Sequence, residues 1–279
     1  MKATILIDNQ AAADTRLQHE HGLSIYFEAD GKRVLLDTGL SGKALSNAQL
    51  LGIDVGEIDW LILSHGHVDH TGGLEAFLQQ NEKASIYASR HILTWNYSSN
   101  HHGNRHSLNP NQTLIHQNLL RFHLLDSHLQ LSPQLWLVFN RCHDFPVPKG
   151  NQYLSLIDAQ GSCIPYGAED EISVAIVENQ HLHILASCSH NGILNIIRSC
   201  QKVTGISDIV TYIGGLHLLD DSESENNLQT LASEILKQYP NLSLYTGHCT
   251  GTHAKDILQE TLKNHFHTFC TGERINFLS

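Results

Sequence analysis

The chain has 279 residues, 41% of them apolar and only 16% charged, which allows a sizeable core and excludes the composition of a disordered segment. Its formal net charge is −11 with histidines neutral. That acidity argues against wrapping nucleic acid, which requires Lys and Arg to displace counterions, and suits a small-molecule enzyme.

In chain order, residues 3–8 read as a strand. Leu23 to Ala29 and Arg33 to Asp37 flank Asp30-Gly31, the strongest short hairpin signal present. Gly42 to Leu51 reads as a short helix ended by Gly52. Trp60 to Leu63 is a continuous apolar run, the pattern of a strand buried on both faces. Residues 96–112 and 141–170 carry little apolar periodicity and many turn residues, so the stretch of about 95–170 reads as an irregular insertion. With no clean linker, 1–279 reads as a single domain.

The second half shows a weak architectural repeat. His181 to Ala186, Ile209 to Ile213 and Leu242 to Tyr245 read as strands. Each is followed by a histidine (His190, His217, His248) and then by a helix with i, i+3, i+4, i+7 apolar spacing. Ligands of open α/β sheets gather at the carboxyl ends of strands, so these three histidines are candidates to converge there.

The same strand-end placement holds for His65-Gly-His67-Val-Asp69-His70. Imidazole and carboxylate are natural ligands for Zn, Mn or Fe. Alternate side chains of an extended loop point the same way, so His65 and His67 can reach one ion, while Asp69 and His70 suit a second. Two adjacent ions acidify a bridging water and clamp attacking and leaving oxygens. Histidine is abundant here, at 21 residues. Chance still yields this H-x-H-x-D-H pattern only about once in 150 such chains.

The run Leu63-Ser-His-Gly-His-Val-Asp-His70-Thr-Gly-Gly73 resembles the signature of the metallo-β-lactamase superfamily. Glu20-His-Gly-Leu-Ser24, Leu36-Asp-Thr-Gly39, Ser187-Cys-Ser-His190-Asn-Gly192, Ile213-Gly-Gly-Leu-His217 and Gly247-His-Cys-Thr-Gly251 resemble one branch of it. That branch includes archaeal dihydropterin–ribofuranosylaminobenzene phosphate synthases. The resemblance implies an α/β fold (α+β by some schemes), a four-layer αββα sandwich of two mixed sheets with helices outside. It also implies two divalent metal ions, zinc foremost with Mn or Fe as alternatives. His65 and His67 would bind one ion, Asp69 and His70 the other, with His248 completing the second site and His190 completing the first or bridging. The family usually places a bridging aspartate where this chain reads Ser187-Cys-Ser-His190. Cys188, His190 or a hydroxide alone would fill that place, and a thiolate would soften the site.

Asp37 follows a buried strand, where it would orient a ligand histidine through the far ring nitrogen or simply form a turn. His21 enters from the first hairpin as a site residue or a loop histidine. His217, behind two glycines, is a ligand or a catalytic pocket residue. Thr250 offers a hydroxyl to a phosphate, or caps the next helix. The expected chemistry is attack by a metal-bound hydroxide on an ester or phosphoester of a small substrate, phosphorylated or not, with Asp69, His190 and His217 as catalytic residues. A metal-dependent synthase joining pterin-like and phosphoribosyl-like substrates, and a catalytically silent metal-binding or sensory protein, are the alternatives. Six widely spaced cysteines without a C-x-x-C pair, and no apolar run of signal-peptide or membrane-span length, lead to the expectation of a cytoplasmic protein with no membrane partner.

Overall fold

The computed structural model describes residues 1–277, which divide into two compact units, neither of them contiguous in sequence. The first draws on Met1–Ser127, Tyr153–Ile172 and Cys270–Asn276, and the second on His128–Gln152, Ser173–Phe269 and Phe277.

In the first unit the seven-stranded sheet runs in the order Arg274–Asn276, Lys2–Ile7, Ser24–Ala29, Lys32–Leu36, Trp60–Ile62, Ser85–Ser89, Phe122–Leu125. Pairing is antiparallel as far as Lys32–Leu36 and parallel beyond it. The hairpin turn is Asp30-Gly31, both with positive φ (50° and 70°), the geometry that twists with the flanking strands. Leu35, Leu61 and Ile86 pack with Leu45 of helix Lys43–Leu50 and Phe77 of helix Leu74–Gln80. On the opposite faces of the same strands Val34, Leu36 and Ile62 are also buried, as the continuous apolar run at 60–63 required.

Residues about 95–170 depart from expectation. Tyr97–His101 and Asn104–Ser107 form a hairpin that pairs with Leu154–Ile157, itself paired with Cys163–Pro165, giving a four-stranded sheet. The irregular reading of this stretch is thereby corrected. Its strands are short, and the hairpin is polar: Asn104–Ser107 is exposed throughout, and the buried side chains of Tyr97–His101 include Ser98 and Ser99. The two hairpin strands show no apolar alternation for a periodicity argument to find, and Leu154–Ile157, which does alternate, is only four residues long.

The second unit's sheet has the order Phe266–Thr268, Ser243–Thr246, Ile209–Ile213, His181–Leu185, Ile172–Glu178, Leu135–Phe139, Leu129–Gln130. The four strands from His181–Leu185 to Phe266–Thr268 are parallel, so all run toward one edge. Helices Ile193–Thr204, Glu225–Gln238 and Thr252–Leu262 each set apolar faces against it: Ile197, Leu228 and Leu258 share a core with Ile184, Tyr212 and Leu244. Ser224 caps the second of these helices by accepting from Asn227 N, and Gly205, at φ 74°, closes the first. Among the described residues no helix is long and apolar enough to cross a membrane.

One core histidine gives the fold a pH dependence. His183, in strand His181–Leu185, stacks on Phe277 with centroids 5.1 Å apart, and its Nδ1 is buried without a hydrogen bond. Burial pushes its pKa down to about 4. An unfolded histidine protonates near pH ~6.5, so this ring's contribution is complete above that value and lost as pH falls toward 4. Melting temperature should therefore fall between about pH 7 and about pH 5 more steeply in the wild type than in His183→Leu. Equal slopes would contradict the assignment.

Candidate metal centre

In the first unit, strand Trp60–Ile62 ends two residues before Ser64, and the chain then bends at His65 and Gly66 before His67. His67, with φ −70° and ψ 143°, is the residue before the helical turn Val68–Thr71, which carries Asp69 and His70. All four candidate donors are buried. His65 Nε2 and His67 Nδ1 stand 3.0 Å apart. Asp69 Oδ2 stands 3.3 Å from His70 Nε2. Two ligands on one tetrahedral zinc, with bonds of roughly 2.0–2.1 Å, would lie about 3.3 Å apart. Each pair thus has the spacing of ligands sharing an ion.

The far sides of these rings are already engaged. Asp37, buried and at φ 59°, accepts from Ser64 N (2.7 Å), from Ser64 Oγ (2.7 Å) and from His70 Nδ1 (2.8 Å). That makes Nε2 the coordinating nitrogen of His70. Ser64 Oγ, whose proton goes to Asp37, lies 2.8 Å from His65 Nδ1, which by the same reasoning turns Nε2 of His65 to coordination. Burial opposes a charge on His70, but Asp69 and Asp37 outweigh it and push its pKa up to about 10. His21 is exposed to solvent, with Nε2 3.5 Å from Asp69 Oδ2 and Nδ1 accepting from Asn9 Nδ2 at 3.1 Å.

A feature not signalled by sequence lies beneath this turn. The buried Asp170 accepts from Tyr97 Oη (2.7 Å), Tyr166 Oη (2.7 Å) and Gly66 N (3.2 Å). Burial pushes the Asp170 carboxyl up. Burial together with the charge of Asp170 pushes both phenols above their ordinary range, so they stay neutral donors. Gly66 has no room for a side chain: a Cβ there would meet the Tyr97 ring at 2.3 Å.

The second unit supplies its donors from strand ends too. Cys188, His190 and His217 are buried, and one donor atom from each lies within 4.8 Å of the others. The His190 and His217 rings have centroids 4.3 Å apart. Asn151 holds His190 from behind, its Oδ1 3.3 Å from Nδ1 and its Nδ2 donating to the backbone oxygen at 2.7 Å. Both ring nitrogens of His217 are buried without a hydrogen-bond partner, a costly state for an imidazole that has no ligand to bind. His217 and His248 both have φ 50°, and Ser189 has φ 60°, in the left-handed region that side chains rarely occupy. Such strain persists where the surroundings impose it, commonly at functional sites. Gly215 permits the close packing that brings these loops together, since a Cβ would meet Cys249 Sγ at 2.5 Å.

Cys249 Sγ accepts from His217 N at 3.3 Å and donates to Cys188 O at 3.6 Å. Burial disfavours its thiolate, yet the Cys188 side chain and the histidines His248 and His217 hold its pKa well below the ordinary thiol value. Thr250 Oγ1 accepts from Leu216 N (3.0 Å) and pairs with Thr246 Oγ1 (2.6 Å). Its hydroxyl thus ties the His217 loop to the His248 loop. In donor chemistry and burial, both units fit divalent cations: nitrogen and carboxylate in the first, nitrogen and thiol in the second.

The metallo-β-lactamase superfamily model matches residues 19–138. A Methanocaldococcus jannaschii protein, 7,8-dihydropterin-6-methyl-4-(β-D-ribofuranosyl)-aminobenzene-5′-phosphate synthase, is 30% identical over 288 residues, covering 99% of this chain and 97% of its own. The chain belongs to the metallo-β-lactamase superfamily. Within that superfamily, the solved metal-dependent hydrolase Tm1679 is similar over 100% of both chains, with a TM-score of 0.80 at 22% identity. The short form of human tRNase Z gives 0.56 at 13% identity, again over 100% of both. These likenesses concern the fold, and they bear out the expected class: mixed α/β, with two large mixed sheets and packed helices. Metallo-β-lactamase-fold proteins bind divalent metals and are generally enzymes, and this chain carries buried His, Asp and Cys clusters suited to that.

Proposed function

We propose that this protein is a metal-dependent hydrolase acting on an ester or phosphoester of a small molecule. It would hold two divalent ions, zinc foremost and Mn or Fe otherwise, through His65, His67, Asp69 and His70, completed by His190 and His248 as the family resemblance implies. The observation carrying this reading is the pairing of donors at 3.0 and 3.3 Å, with His70 locked from behind by Asp37. Bound ions supply Lewis acidity and lower the pKa of water. The residues do the rest. Asp69, whose side chain keeps 12% exposure beside the fully buried His70, accepts the proton of the attacking water. His217, its ring nitrogens unpartnered, offers a donor to the developing negative charge. Cys188 and His190 are the candidates for the place of the usual bridging aspartate.

A second reading is favoured by one observation, the 30% identity to the archaeal synthase over nearly the whole chain. On that reading the same donors would assist a condensation of pterin-like and phosphoribosyl-like substrates. The separating experiment loads the protein with Zn, Mn or Fe. It offers phosphodiesters, phosphomonoesters, lactones and thioesters in one arm and paired pterin and ribosyl-phosphate substrates in the other, with product masses read out. Addition of water to a single substrate, abolished in His67→Ala, supports the hydrolase. A joined product supports the synthase, and inactivity in both arms with every metal supports a silent metal-binding protein.

A further inference from the structure

We propose that Tyr97, Tyr166 and Asp170 are positioning residues for the turn His65-Gly66-His67, setting the His67 ring and the Gly66 peptide in place before any ion arrives. The inference deepens the binuclear reading and rests on it. Three observations converge on this turn.

Asp170 binds the peptide nitrogen between the two histidines at 3.2 Å and both tyrosine hydroxyls at 2.7 Å, so one carboxylate joins backbone and rings into a single unit. The two rings in turn bracket His67: Tyr97 meets it edge-on, with centroids 5.3 Å apart and planes at 89°, and Tyr166 lies at 5.1 Å and 45°. Tyr97 also lies so close over Gly66 that no side chain fits there.

The bracket is itself held firmly. Tyr97 and Tyr166 stand 6.0 Å apart, Trp95 packs on both, and Leu154 and Leu156 of the four-stranded sheet complete the cluster. A side chain whose ring is fixed on two sides loses little freedom on coordinating an ion, and groups that orient metal ligands from behind typically change affinity 10–100-fold (roughly) when removed. The small sheet thus carries the wall that sets this turn.

The test uses the full chain, made metal-free and titrated with zinc against a chelating competitor, for the wild type, Tyr97→Phe, Tyr166→Phe, Asp170→Asn and His67→Ala. The expected result is that each of the first three variants binds one ion about 10–100-fold more weakly. It should be the same ion that His67→Ala loses, with the other ion's affinity unchanged; the metal-free melting temperature falls by a few degrees at most, since each variant gives up one or two buried hydrogen bonds. Affinity unmoved for both ions would overturn the inference alone. So would both ions weakening together in step with a lowered metal-free melting temperature, the mark of a merely structural role. A wild type that takes up no zinc would overturn the binuclear reading and this inference with it. Should Asp170→Asn not fold, the tyrosine variants, each lacking one hydroxyl, decide the matter.

Discussion

Replacing Asp69 with alanine is expected to lower turnover at least about a thousandfold, on whichever substrate gives the strongest wild-type signal. Two losses combine. The carboxylate stands 3.3 Å from His70 Nε2, the distance for sharing an ion, so its removal strips one ligand. It is also the acid–base group with residual access to solvent, its side chain 12% exposed where that of His70 is sealed, so the attacking water loses its proton acceptor. Asp69→Asn separates the two, since the amide oxygen can still coordinate but the group cannot accept a proton at neutral pH. If turnover tracks metal content alone, Asn should recover most of it. If proton transfer matters as proposed, Asn should stay near Ala while metal content recovers. Full turnover in Asp69→Ala would remove the proposed mechanism.

Asp37→Ala should produce the second large effect, this time on both stability and metal binding. The carboxylate is fully buried and satisfies three donors, Ser64 N, Ser64 Oγ and His70 Nδ1, at 2.7–2.8 Å. Its removal leaves those donors without an acceptor in a dry site, a loss on the order of 3 kcal/mol. For a chain of this size that corresponds to a fall of about 5 °C or more in melting temperature. Asp37→Asn keeps the shape and loses less stability, but the amide cannot accept from all three donors. It should bind the ion held by His70 about 10–100-fold more weakly. Thermal melting with zinc competition reads both quantities; an Asn variant indistinguishable from wild type in affinity would show that Asp37 merely forms a turn.

The parts legible in sequence are those whose signal is local. The motif from His65 to His70 announces itself because a strand exit, a short bend and a helical turn follow one another within a few residues. The Asp30-Gly31 hairpin and the strand–histidine–helix units of the second half are equally local, as turn chemistry and apolar period lie in adjacent residues. The wall behind His67 was hidden for the opposite reason. Asp170 meets Gly66 across 104 positions of chain. It sits in a stretch whose glycines and prolines suggested disorder of pattern, and its partner Tyr97 opens a strand of mostly polar residues. Nothing in one sequence distinguishes a carboxylate in such a loop from a solvated one. The strained backbones of His217 and His248 are hidden likewise, because a left-handed φ at a non-glycine residue is imposed by packing and leaves no mark on composition.

Zinc stoichiometry, measured on the metal-free protein by titration and confirmed by elemental analysis, tests the central claim most directly. The wild type should take up two equivalents, His67→Ala or His248→Ala at most one, and a protein with His67 and His70 replaced together should hold none tightly. A wild type that binds no ion would contradict it. So would a doubly substituted protein that still holds two.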